Sequence, residues 1–525
     1  MNATGAAAPR SSDRQLTRNS AAYLVFQGWN IARSLIVVPV ILHFAGLEQY
    51  GVWVLLFAIS AYLDLAGFGF GAAFARQAAS ARTREDLGRL AGQLGTVSLA
   101  LGALLAVSLA VTAFFGEPVL AAFGVPPGSP GAAAPALLLV VSSLGLRALS
   151  FSLEQSLVGF GRMDVVQWIG IGCGVLEIVL QVVLLAAGFG VPGLAAANLV
   201  ASVVRLLLVG LRLRPLLPGF VAGLVAPRLQ GMDSLIWLAM KFQGLNALAI
   251  LFFQGARSLT SATLGLETLG LFHIGIQLCS LGAMIPTSLI APLMAAFAEA
   301  HGAEDGARAV AIHRRAVPLL SIAVIGCFAA FFVVVGPFVG WWLGARGAPA
   351  VEAARILAVG MSINLLTGIA TAHMRGQSLF RLEYQYAVAQ VALLFLLLPF
   401  AARQYGLTGC AWAFAVAQGL PSLWLLFAYS RGAGRPMAGL MGKAVLWAGS
   451  AAAIAVLAAA GLLAVATATG LTQGRAGALA TVGLVGLLFV GGFLPALRFL
   501  SPRFGIAWRE LIAAVRARGA VSPPS

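Results

Sequence analysis

The sequence predicts an all-α polytopic membrane protein: about 14 transmembrane helices, arranged as two parallel six-helix repeats with two further helices at the C-terminal end. Three observations lead there. The 525 residues are 60% hydrophobic and 10% charged, where a soluble domain carries about a quarter charged residues. Apolar runs of about 20 residues recur along the chain, long enough at 1.5 Å per residue to cross a bilayer core of ~30 Å. Short landmark segments return in the same order at a nearly constant spacing of 216–219 residues.

The apolar runs lie near 21–44, 51–74, 90–115, 136–158, 165–187, 193–213, 234–257, 270–295, 317–340, 354–374, 384–402, 407–429, 444–469 and 477–497. Residues 1–20 form a polar N-terminal tail with Arg10, Arg14 and Arg18, so no cleavable leader is expected. Residues 21–213 make the first lobe, 214–233 an interfacial linker and 234–429 the second lobe. Residues 430–498 hold the two extra spans, and 499–525 an amphipathic tail around "RFGIAWRELIAAVRAR" (Arg503–Arg518).

Orientation follows from the basic residues. Twenty-four fall at one set of span ends and five (Arg257, Arg346, Arg355, Arg403, Arg475) at the other. The positive-inside rule then puts both termini in the cytoplasm. The net charge of +16 is mostly this topology signal. Its dispersal over short loops speaks against nucleic acid as a partner. The four cysteines sit inside apolar runs without metal-ligand spacing and read as small packing residues. No metal or cofactor is expected.

The repeat is visible from "FQGWN" (Phe26–Asn30) and "FQGLN" (Phe242–Asn246), 216 positions apart. "GLEQYGVW" (Gly46–Trp53) matches "GLETLGLF" (Gly265–Phe272) at 219. "GRMD" (Gly161–Asp164) matches "FRLE" (Phe380–Glu383), aligning Arg162 with Arg381 and Asp164 with Glu383. "GVPGLAAA" (Gly190–Ala197) matches "GLTGCAWA" (Gly406–Ala413) at 216. Six spans per copy, an even number, give both copies one orientation, as in parallel repeats whose substrate lies between lobes.

Several segments carry the resemblance to a known family. "ILHFAGLEQYGVWVLLFAISAYLDLAGFGFGAAFAR", "IPTSLIAPLMAAFAEAH" (Ile285–His301) and "GLTGCAWA" resemble polysaccharide-export flippases, relatives of the multidrug-and-toxin-extrusion exchangers, over most of residues 20–430. The resemblance implies a carrier of undecaprenyl-pyrophosphate-linked oligosaccharide. It would work between leaflets of the bacterial inner membrane, for O-antigen, capsule or exopolysaccharide synthesis. The partners so implied are that lipid-linked substrate, membrane lipids, and a polysaccharide polymerase or ligase.

Ionisable residues at bilayer depth are costly and mark cavities or partners. Here they are Arg33, Asp64, Arg147, Glu154, Glu177, Arg205 and Lys241, all but the last in the first repeat. Counting from the turns puts Arg33 level with Asp64, and Arg147 level with Glu177, as two expected ion pairs. Glu154, Arg205 and Lys241 fall about a third of the way in from the cytoplasmic side at 1.5 Å per residue. Guanidinium forks and an ammonium suit a diphosphate headgroup. Arg33, Arg147, Arg205 and Lys241 are therefore the candidate phosphate ligands, and Asp64, Glu154 and Glu177 the ion-pair or coupling carboxylates. The alternative role for both pairs is self-neutralisation.

"GFGFG" (Gly67–Gly71) and "GIGCG" (Gly170–Gly174) lack strand–turn–helix context and read as close helix packing rather than nucleotide loops. His273 and His373, near span ends, read as structural polar residues. Two other functions remain open. A drug or cation antiporter of the same fold would want an acidic pocket, whereas four basic and three acidic residues lie at depth here. A membrane glycosyltransferase or polymerase would want acid/base groups in a large outer loop. The longest, Gly116–Pro135, has one carboxylate and no histidine.

Overall fold

The computed structural model describes residues 13–500 apart from 63–67, 82, 126–132, 218, 226–231, 378, 433–436 and 469–473. Regular structure among these residues is helical: α1 (Asp13–Phe44), α2 (Gly46–Ala61), α3 (Phe68–Ser80), α4 (Arg84–Ala122), α5 (Ala133–Gly159), α6 (Met163–Ala186), α7 (Gly190–Leu213), α8 (Phe220–Val225), α9 (Met232–Leu264), α10 (Leu266–Gly302), α11 (Gly306–Trp342), α12 (Ala348–Leu366), α13 (Gly368–Gly376), α14 (Arg381–Gly432), α15 (Met437–Ala468) and α16 (Gly474–Leu500). The C-terminal tail expected to be amphipathic lies outside the described residues, as does Gly67 of the "GFGFG" segment.

The helices map onto the fourteen spans. α14 has 52 residues, about 78 Å of helix at 1.5 Å per residue, more than twice a bilayer core. It is broken at Gly406, where φ is 60° and ψ −137°, into the eleventh and twelfth spans. The second span is divided into α2 and α3, and the tenth into α12 and α13, which meet at Thr367. Among the described residues, eleven helical stretches are long and apolar enough to cross a membrane, α14 counting once, and α2 is a shorter apolar helix.

The duplicated landmarks share backbone geometry as well as letters. Gly46 and Gly265 open their helices at φ 81° and 85°, and Gly190 and Gly406 at 53° and 60°. Only glycine enters this left-handed region without steric cost, so the chain turns the same way at corresponding places. The corresponding carboxylates are also both buried. Asp164 meets Arg18 Nε at 2.8 Å, and Glu383 accepts from Arg375 Nε at 2.8 Å. Glu383 thus takes an arginine from α13 rather than its sequence neighbour Arg381.

The chain divides into two compact units, Met1–Gly270 and Leu271–Ser525. In the first, α5 packs along α7 and against α3 and α4, α6 packs against α1 and α7, and α9 lies on α2 and α3. Four serines on α5 (Ser143, Ser150, Ser152, Ser156) are buried. Three of them return their hydroxyls to carbonyls one turn back at 2.9–3.1 Å, leaving small side chains that allow close approach. The linker contributes α8, seated on α4 with Gly223 against the Ala91 carbonyl. Thr83 and Asp86 close a capping box at the start of α4.

In the second unit α11 packs against α12, α15 and α16. The alanine stripe Ala448, Ala451, Ala452, Ala455 and Ala459 of α15 meets Val485, Phe489 and Phe493 of α16 and Ile322 of α11. Alanine at this spacing lets backbones approach without a polar bond, the usual packing in lipid.

Candidate functional site in the first unit

Close packing of α1 on α6 sets the site. A methyl group on Gly170 would stand 2.7 Å from the Phe26 ring, and one on Gly174 2.6 Å from Trp29 Nε1. The "FQGWN" aromatics thus occupy the hollows left by the "GIGCG" glycines, the close packing expected of that motif. This contact brings Arg33, one turn beyond Trp29, to Glu177, three residues beyond Gly174.

Arg33 Nη2 donates to Glu177 Oε1 at 2.7 Å. The same oxygen accepts from Asn198 Nδ2 of α7 at 3.0 Å and from Gln181 Nε2 at 3.3 Å. One buried carboxylate therefore ties α1, α6 and α7. A second joins α5 to α7: Arg205 Nε and Nη2 donate to Glu154 Oε1 and Oε2 at 2.6 and 2.9 Å. Both carboxylates are buried, whereas the side chains of Arg33 and Arg205 stay 31% and 23% exposed. Each pair is neutral, and each arginine keeps a face for a further acceptor.

The first pair corrects the sequence-based expectation of Arg147 with Glu177. Glu177 is held by Arg33. Counting from turns gives depth but not which helix stands beside which, and α1 lies along α6. Asp64 lies outside the described residues. Arg147 is on α5 and exposed, two turns before Glu154 and so on the same helix face. Lys241 lies on α9, its side chain outside the described residues.

The second unit answers with neutral groups that sequence reading missed. Asn364 Nδ2 of α12 donates to Tyr386 Oη and, at 3.2 Å, to Ser422 Oγ. Gln390 Nε2 donates to Tyr386 Oη at 2.9 Å. The i, i+4 spacings 386/390 and 418/422 in apolar runs were the available signal. Among the described residues no three His, Cys, Asp or Glu side chains come together as metal ligands.

No family model matches the sequence, and no curated protein matches it. Solved structures do match the fold. The chain is similar to the lipid II flippase MurJ in an inward closed conformation, with TM-score 0.68 and 13% identity, over 94% of this chain and 99% of that one. It is similar to an inward-facing multidrug resistance MATE family transporter of the MOP superfamily, with TM-score 0.64 and 15% identity, over 80% and 99%. A MOP superfamily transporter from Pyrococcus furiosus matches with TM-score 0.54 and 15% identity, over 81% and 96%. The chain therefore shares the fold of these structures.

Proposed function

We propose that this chain is a flippase for undecaprenyl-pyrophosphate-linked oligosaccharide, carrying it from the inner to the outer leaflet of the bacterial inner membrane by alternating access, with both termini cytoplasmic. The observation that carries the reading is that Arg33 and Arg205, each held by a buried carboxylate, keep 31% and 23% of their side chains exposed, with Arg147 exposed on the α5 face that bears Glu154. A cation at the depth expected from the sequence is unfavourable by roughly 2.5–3.5 kcal/mol on insertion scales. A diphosphate headgroup offsets that cost with concentrated negative charge and bidentate acceptors. Arg33 and Arg205, each partly exposed, add donors beside it, and Lys241 on α9 adds a point charge. Glu154 and Glu177 hold two of the cations in place, and Asp64 belongs to the same charged set.

The test is flipping of a fluorescent undecaprenyl-pyrophosphate sugar in proteoliposomes. Arg147→Ala should slow it about ten- to a hundredfold, the loss expected for hydrogen bonds to a charged group worth ~1.5–3 kcal/mol. Normal flipping by that variant would remove Arg147 from the site. A wild-type protein that leaves the lipid in place and concentrates an organic cation against a gradient would favour the antiporter reading.

A further inference from the structure

The second unit buries a chain of titratable side chains outside the proposed phosphate site. His313 of α11, His373 of α13 and Tyr429 near the end of α14 are each only 4% exposed. His313 Nδ1 lies 2.9 Å from the Ala309 carbonyl, one turn back, and its Nε2 lies 2.8 Å from Tyr429 Oη. On the other side, Tyr429 Oη lies 2.8 Å from His373 Nδ1. Phe297 of α10 covers both imidazoles, its ring centre 4.6 Å from that of His313 and 5.0 Å from that of His373.

The hydrogens in this chain can be assigned. A carbonyl only accepts, so His313 Nδ1 carries a hydrogen, and Nε2 of the neutral ring accepts from the Tyr429 hydroxyl. That hydroxyl oxygen then accepts from His373 Nδ1–H. With both rings neutral, each of these contacts has one donor and one acceptor. A further proton on His313 turns Nε2 into a donor, and the tyrosine hydrogen must leave the contact. The hydroxyl can donate to His373 Nδ1 instead only if that ring moves its own hydrogen to Nε2, so loading forces a rearrangement along the whole chain and leaves a charge in a buried place.

We propose that His313, Tyr429 and His373 form a proton-binding site, and that loading it loosens the joint of α11, α13 and α14. The charged surroundings favour this outcome over simple accommodation. On the helices that meet here, Glu299 of α10 pairs with Arg308 of α11 at 3.0 Å, and Glu383 of α14 is held by Arg375 of α13. The other charged groups near this end are Glu304 and Asp305 before α11, Arg314, Arg315, Arg381 and Arg431, with His301 as an exposed titratable neighbour. Glu299 and Glu383 are paired with arginines and Asp305 accepts from Arg308 N, so an incoming proton adds positive charge to a buried chain. Imidazole is the side chain whose unperturbed charge change falls between about pH 5 and 8. The site is independent of which substrate the protein carries.

The experiment is hydrogen–deuterium exchange on the full-length protein in detergent, corrected for intrinsic rates, at about pH 8 and about pH 5.5, on either side of imidazole's ordinary pKa. Amides of 306–316 and 368–376 should lose protection about tenfold on acidification, a local opening, with α15 and α16 unchanged. His313→Gln keeps an amide in the contact and should abolish the pH response. Tyr429→Phe should leave the segments weakly protected at both pH values. Equal wild-type protection at both pH values overturns the proposal, as does a loss shared by α15 and α16. A full pH response surviving in both His313→Gln and His373→Gln overturns it too. Should a variant fail to fold, the wild-type profile alone decides.

Discussion

Arg205 and Glu154 meet as a fork, each guanidinium nitrogen on its own carboxylate oxygen, across the α5–α7 seam. The Glu154 carboxylate is buried and Arg205 is mostly so, and the value of each partner depends on the other. Breaking a buried pair by removing one member costs about 3–5 kcal/mol, while replacing both by apolar groups is often neutral. Arg205→Ala should therefore lower thermal stability in detergent markedly, and Arg205→Met with Glu154→Leu should recover most of it. A double variant as unstable as the single one would show that the fork is not the cause.

Gly174 and Trp29 form the close approach that aligns Arg33 with Glu177. Gly174→Val should cost about 1–3 kcal/mol, the range for overpacking. Trp29→Ala in that background should relieve part of it, giving a measurable coupling in a double-mutant cycle. Strict additivity of the two changes would place them out of contact.

Arg147→Lys distinguishes charge from shape. Lysine keeps the positive charge but loses the planar fork. Flipping by the lysine variant should fall between wild type and Arg147→Ala. Full activity would reduce the role of Arg147 to a point charge.

The repeat makes a topological prediction. Glu48 and Glu267 follow matched left-handed glycines and are both exposed. Cysteines at these positions, with the four native cysteines removed, should both react with a membrane-impermeant reagent from the outside. Labelling from opposite sides would contradict the parallel relation of the copies.

The helices and the duplication were legible because lipid imposes length and the turns demand glycine. "GLEQ" and "GLET" announced the same backbone turn 219 residues apart, and the structure has it. Partner choice at Glu177 was not legible, since residue counting yields depth along a helix and not its neighbour. The His313–Tyr429–His373 chain was less visible still. His313 lies beside Arg314 and Arg315, where charge counting reads a loop end, and its partners are 60 and 116 positions away. Only the packing of α11, α13 and α14 assembles it.

The separation of Arg33 from Glu177 has a consequence in time. The two are 144 residues apart in the chain, and synthesis at ~5–20 residues per second puts roughly 7–30 s between them. Arg33 thus enters the bilayer on the first helix well before its carboxylate exists. Glu154 waits only 51 residues for Arg205, roughly 3–10 s at that rate. During its longer wait Arg33 must be met by water drawn into the membrane or by a lipid phosphate, as intramembrane arginines are when they snorkel. The Arg33–Glu177 bond therefore closes only once α6 has been made, later than the Glu154–Arg205 fork needs after its first member.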